Sequence, residues 1–151
     1  MRKLILSAVI FFILGHFIFS ASSSPVTEFK ELLIMLEKSV KYNSQADDWR
    51  QRRGGWISEV QSAPSLKVFK SLLLEFEKKI KWASQYPAWR QQRKAWLENV
   101  KKAATPSALA ETLILLEKSI RYEAQYPNWR GMRETWLKRI KALHTGDDGS
   151  I

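Results

Sequence analysis

The sequence predicts an all-α fold of three tandem helical hairpins, six helices in all, with a period of 40 residues. Three observations predict it. The chain repeats itself: Gln85-Tyr86-Pro87-Ala88-Trp89-Arg90 returns as Gln125-Tyr126-Pro127-Asn128-Trp129-Arg130, and a looser copy runs from Gln45 through Trp49, Arg50 and Arg53 to Trp56. A fixed period of this length marks one supersecondary unit stacked on itself. Within each unit, apolar residues recur at spacings of three and four, which is one face of an α-helix. Finally, no stretch alternates with period two, so no strand is predicted.

The elements follow in chain order. Residues 1–23 read as a secretory signal peptide. Arg2 and Lys3 supply the positive start, Leu4 to Phe19 an apolar run broken by Ser7, Gly15 and His16, and small residues follow to Ser24. Cleavage after Ser23 places Ala21 and Ser23 where small side chains are required. The alternative is an uncleaved membrane anchor, but the run is shorter than the roughly 20 residues a span needs.

Residues 24–64 form the first hairpin. Phe29, Leu32, Leu33, Leu36 and Val40 share one helical face, and Trp49, Arg53, Trp56 and Val60 share the next. This repeat diverges most. Asp47-Asp48 replaces the Tyr-Pro turn of the other two, and Gly54-Gly55 lies inside the second helix. Each glycine costs about 1 kcal/mol relative to alanine. A degenerate first repeat reads as a capping unit.

Residues 65–104 form the second hairpin. Ser65, after Pro64, caps a helix whose buried face is Phe69, Leu72, Leu73, Phe76 and Ile80. The following helix begins near Tyr86-Pro87, because proline ends one helix and tolerates the first turn of the next. Its face is Trp89, Arg93, Trp96 and Val100.

Residues 105–144 form the third, with Thr105 as cap and Pro106 at the first helical position. The faces are Leu109, Leu113, Leu116, Ile120 and then Trp129, Arg133, Trp136, Ile140. Residues 145–151 read as a disordered tail. A lone hairpin leaves apolar surface exposed, and stacking buries it. The result is an α-solenoid-like array or, if the hairpins close on each other, a compact helical bundle. The array is the preferred arrangement.

Eight positions are identical in all three copies: Leu33/73/113, Glu37/77/117, Lys38/78/118, Gln45/85/125, Trp49/89/129, Arg50/90/130, Arg53/93/133 and Trp56/96/136. Each of Arg53, Arg93 and Arg133 lies between two tryptophans on an apolar face, where a guanidinium can stack on the rings. It also requires an anionic partner, since a buried unpaired charge is costly. Glu37, Glu77 and Glu117 flank the facing helix. One Glu–Arg pair per hairpin, supported by tryptophan, is therefore expected as a structural latch: Glu37, Trp49, Arg53, Trp56; Glu77, Trp89, Arg93, Trp96; Glu117, Trp129, Arg133, Trp136. Arg50, Arg90 and Arg130 are expected to share that pairing.

The identical lysines point elsewhere. Lys78 faces almost opposite Phe76, and Lys67, Lys70, Lys78 and Lys81 fall within about 80° of one another at 100° per residue. Lys38, Lys41, Lys78, Lys81, Lys118 and Arg121 are the expected partner-binding residues. Each of Lys38, Lys78 and Lys118 is followed four residues on by an aromatic: Tyr42, Trp82 and Tyr122.

Charge and composition set the function class. The chain has 25 Lys+Arg, 15 Asp+Glu and no cysteine. The excess is concentrated: residues 65–104 carry ten basic and three acidic side chains, residues 25–64 six of each. Such a field favours an anionic partner. Absence of cysteine excludes disulfides, a thiolate metal site and a cysteine nucleophile. His144 is the one histidine after the leader, and no phosphate-binding loop or serine nucleophile motif is present. The repeated glutamates look like scaffolding rather than acid–base groups. The sequence therefore points to an exported, secreted or periplasmic, non-enzymatic protein without cofactor or metal. Its expected ligand is a protein partner with acidic character, met through basic helix faces. The alternatives are an anionic polymer or surface (nucleic acid, acidic polysaccharide, anionic lipid) and a small secreted toxin or inhibitor.

Overall fold

The computed structural model describes residues 23–146. The expected signal peptide, apart from Ser23, and residues 147–151 of the expected tail lie outside the described residues. Six α-helices run α1 (Pro25–Ser39), α2 (Trp49–Ser62), α3 (Leu66–Lys79), α4 (Trp89–Lys102), α5 (Pro106–Ser119) and α6 (Trp129–Thr145). No strand occurs among the described residues, only isolated bridges between linkers.

Local chemistry sets the helix ends. Ser24 Oγ accepts from Thr27 N–H ahead of Pro25, and Thr105 Oγ1 accepts from Ala108 N–H ahead of Pro106. These side chains satisfy amides that the first turn leaves unpaired. Ser65 occupies the same position before α3 but makes no side-chain capping bond. Each odd helix stops at a β-branched residue. Val40, Ile80 and Ile120 adopt extended backbone and send their N–H back to the carbonyls of Glu37, Glu77 and Glu117. The chain then makes a 3₁₀ turn (Tyr42–Ser44, Trp82–Ser84, Tyr122–Ala124) before the even helix begins at a tryptophan. The Tyr86-Pro87 pair thus precedes α4 rather than opening it. At the other end of the chain, α6 continues to Thr145, one residue into the expected tail, with Thr145 Oγ1 donating to Lys141 and Ala142 carbonyls.

The three hairpins close into a ring. Trp56 Nε1 donates to Leu72 O at 3.0 Å and Trp96 Nε1 to Thr112 O at 2.8 Å, each reaching into the next hairpin. Trp136 Nε1 makes the same bond to Leu32 O at 2.9 Å, joining the last hairpin to the first. Each even helix therefore wedges between two odd ones: α2 between α1 and α3, α4 between α3 and α5, α6 between α5 and α1. The odd helices line the centre, with the Phe29 and Phe69 rings edge-on at 5.8 Å.

Closure replaces the preferred open array with the compact bundle. It also removes the capping role expected of the first repeat, because in a ring no hairpin is terminal. The first and last hairpins are further tied by Arg139, which donates to Glu28 at 2.7 and 2.9 Å and to Glu31 at 2.6 Å. Between hairpins one and two, Arg52 bridges Glu59 and Glu75 in the same manner.

The linkers close a second, smaller ring at one end. Lys41 N–H donates to Ala124 O, Lys81 N–H to Ser44 O and Arg121 N–H to Ser84 O. Ala46, Tyr86 and Tyr126 N–H groups donate to Lys79, Ser119 and Ser39 carbonyls. Six backbone hydrogen bonds thus link the three linkers pairwise about a pseudo-threefold axis.

Candidate functional site

Ring closure places residues 38–50, 78–90 and 118–130 at one end of the molecule, here called the linker face. They carry ten Lys and Arg against three Asp and Glu. The identical residues in these segments separate into an interior set and an exterior set.

The interior set is built on glutamate. Glu37, Glu77 and Glu117 are 0–2% exposed. Each accepts an indole N–H on Oε1: Trp49 at 3.0 Å, Trp89 at 3.2 Å and Trp129 at 3.2 Å. Arg53, Arg93 and Arg133 add their Nε at 2.5 to 2.6 Å. In hairpins two and three a second guanidinium nitrogen reaches Oε2, at 2.7 and 2.8 Å. Hairpin one lacks that second bond, and Glu37 Oε2 is left without a partner. The hydrogen bond to glutamate pushes all three guanidinium groups further above their ordinary range. This is how a buried carboxylate is carried in an apolar core: paired, and bonded to several donors.

The two tryptophans of each hairpin pack edge-on, 5.4 to 5.8 Å apart. Only the first one belongs to the carboxylate cluster of its own hairpin. The second, Trp56, Trp96 or Trp136, joins the neighbouring hairpin instead. The arginines do not stack on these buried rings either. Arg53, Arg93 and Arg133 lie over Tyr42, Trp82 and Tyr122, at 5.9, 5.5 and 5.9 Å.

The exterior set begins with those same aromatics. Tyr42, Trp82, Tyr86 and Tyr122 are 43–47% exposed. A second arginine covers three of them: Arg50 over Tyr42 at 5.2 Å, Arg90 over Trp82 at 5.4 Å and Arg130 over Tyr122 at 5.4 Å. Arg50, Arg90 and Arg130 were expected to share the glutamates. They do not. They are exposed and, among the described residues, form no ion pair. Stacking holds each guanidinium in one orientation while its charge stays open to solvent.

The expected partner-binding residues divide likewise. Lys38, Lys78 and Lys118 stand exposed in the last turns of α1, α3 and α5, at the linker face. Lys41, Lys81 and Arg121 follow the helices instead of lying on them, so the continuous basic stripe of α3 does not exist. Lys70 also leaves it, donating to the Lys101 carbonyl at 2.8 Å. Lys81 pairs with Asp47 at 3.1 Å, Lys41 donates to the Glu123 carbonyl at 3.0 Å, and Arg121 lies over Tyr86 at 5.9 Å. All three contacts cross from one hairpin to its neighbour.

Sequence reasoning missed Arg50, Arg90 and Arg130 as surface groups and missed every contact between linkers. The available signal was that these arginines are identical in three copies although each repeated glutamate already has another identical arginine, three residues further on, to pair with. Among the described residues no group of His, Asp and Glu is placed to hold a metal ion, and no helix is long and apolar enough to cross a membrane.

Residues 63–125 are similar to a family described as a domain of unknown function (DUF8799), a match that covers less than half of the chain. The matched stretch runs from the end of α2 to the linker before α6, and so contains Trp82, Tyr86, Arg90 and Arg121 together. No curated protein and no solved structure matches the chain.

Proposed function

We propose that the chain is an exported, non-enzymatic binding module whose linker face docks an acidic surface of a protein partner. The observation that carries this reading is the unpaired cation held on an exposed aromatic, built three times on one face: Arg50 on Tyr42, Arg90 on Trp82 and Arg130 on Tyr122. Protein interfaces draw their affinity from Tyr, Trp and Arg anchors of this kind. Stacking also lowers the side-chain entropy lost on binding. Lys38, Lys78 and Lys118 surround the anchors and steer an anionic partner toward them. The leader at residues 1–23 is the support for export.

Paired pull-downs test the reading. Wild-type protein and an Arg50/Arg90/Arg130→Glu triple variant are offered the same secreted fraction. Acidic proteins retained by the wild type and lost by the variant are the expected result; identical retention by both sinks it. Salt separates a protein partner from a polyanion. Polyelectrolyte binding falls steeply through counterion release, so an affinity that collapses for heparin and for the retained protein alike would reassign the face to an anionic polymer.

A further inference from the structure

Resting on that reading, we infer that two clefts between neighbouring linkers each receive one carboxylate side chain of an acidic peptide segment in the partner, on a cation that in the third junction is met by the chain's own Asp47 at the surface. The pseudo-threefold ring holds its own comparison. Position 47 in hairpin one is aspartate, and its counterparts are Pro87 and Pro127. The facing cation comes from the next hairpin round the ring: Lys81 for Asp47, Arg121 for Pro87 and Lys41 for Pro127. Where the carboxylate exists in the chain, it pairs, Lys81 to Asp47 at 3.1 Å. The same cleft carries a second internal pair, Lys79 with Asp48. Where proline replaces aspartate, the cation has no carboxylate partner among the described residues.

The cleft at Pro127 is a formed cavity of about 330 Å³, with Lys41, Tyr122, Tyr126, Pro127 and Arg130 among its walls. Gln125 also lines it, is 3% exposed, and has an Oε1 that accepts no hydrogen bond. A buried unpaired carbonyl of this kind calls for a donor, and Gln45 of hairpin one carries the same unpaired Oε1. A peptide supplies both requirements at once, a backbone N–H for Gln125 and a carboxylate for Lys41 and Arg130, with its apolar atoms against the two tyrosines. Glu123 is the one acidic residue in that wall. The junction at Pro87 has the corresponding residues Trp82, Tyr86, Arg90 and Arg121 without an acidic one, and a buried Gln85 whose unpaired atom is the donor Nε2. No acidic residue occurs in residues 78–90. Both clefts also open at the start of an even helix, where Ala88 and Asn128 make no side-chain capping bond and the helix dipole favours negative charge.

The test gives the two clefts the internal carboxylate that hairpin one has at Asp47. Full-length Pro87→Asp/Pro127→Asp protein places a carboxylate where hairpin one has Asp47, on a backbone that accepts it there. A Pro87→Asn/Pro127→Asn protein has the same shape without the charge. The probe is a short fluorescein-labelled peptide of Glu and Ala, followed by anisotropy, with Trp82 emission as a second readout because the other six tryptophans are buried. Binding weakened roughly tenfold by the aspartates, about one charge-assisted hydrogen bond, and kept by the asparagines is the expected result. Equal binding to wild type and the aspartate variant overturns the cleft assignment while leaving the docking face intact. Failure of the wild type to bind the peptide, with retention of a heparin oligosaccharide, overturns both.

Discussion

Arg90 and Arg93 lie one turn apart on α4, are the same residue type, recur at identical positions in all three hairpins, and occupy opposite electrostatic environments. Arg93 bonds twice to Glu77, a carboxylate that is 2% exposed. Arg90 stacks on Trp82 from outside and meets no carboxylate among the described residues. Both guanidinium groups touch the same indole, on which they converge from neighbouring positions. The difference teaches that repetition within a chain marks a repeated environment without saying which side of the surface it is on. Three residues of helix rotate a side chain by about 300°, or 60° short of a full turn. That is enough to move a charge from a buried carboxylate to solvent.

The sharpest break in the comparison is stability. Arg93→Ala strands the charge of Glu77 and should cost roughly 3 kcal/mol, the lower end of the range for losing one partner of a buried pair. Urea denaturation of the variant measures it. Arg90→Ala, which loses only an exposed cation–π contact, should cost less than about 1 kcal/mol. If the two variants unfold at the same urea concentration, the division into interior and exterior arginines is wrong.

A third arginine calibrates the pair. Arg139 is an ion-pair donor at the closing seam, and its hydrogen bond holds the Glu28 carboxyl below its ordinary value of 4.5. A lowered folded-state value means that the contribution is fully present above 4.5 and fades as pH falls through the lower value of the folded protein. Arg139→Ala should therefore melt below wild type at neutral pH, by the equivalent of about 1 kcal/mol for a pair that is only partly buried, and the gap should narrow in acid. A gap that is constant down to pH 3 would show that Arg139 acts by packing alone. The smallest effect has the opposite sign. A Cβ added at Gly54 meets nothing within 4 Å, so Gly54→Ala should stabilise by roughly 0.5–1 kcal/mol. That gain would leave both arginine effects unchanged, since the site touches neither cluster.

Much of this was legible in one dimension. The helical faces could be read from spacings of three and four, and Glu77 as the partner of Arg93 from two identical positions sixteen residues apart on facing helices of one hairpin. The stacking of Arg90 on Trp82 was not legible, because it depends on a 3₁₀ turn that lifts residue 82 off the helix wheel used to place it. Reading Lys81 as part of a helical stripe failed for the same reason: α3 ends at Lys79. The pairs Lys81–Asp47 and Lys41–Glu123 were beyond reach, since each joins different hairpins and one joins the first to the last.

The sequence by itself determined the hairpins. Their contacts are local, within one 40-residue unit, and their periodicity is written in every copy. Only the tertiary structure decided that three hairpins make a ring. An open array and a closed one use the same junction, an indole N–H from one even helix to a carbonyl on the next odd helix, and so demand the same residues at the same spacing. What distinguishes them is the rotation from one hairpin to the next, summed over three steps. That angle is set by how side chains of different size interlock at each junction, and the outcome is visible where the last hairpin meets the first, as at Trp136 and Leu32.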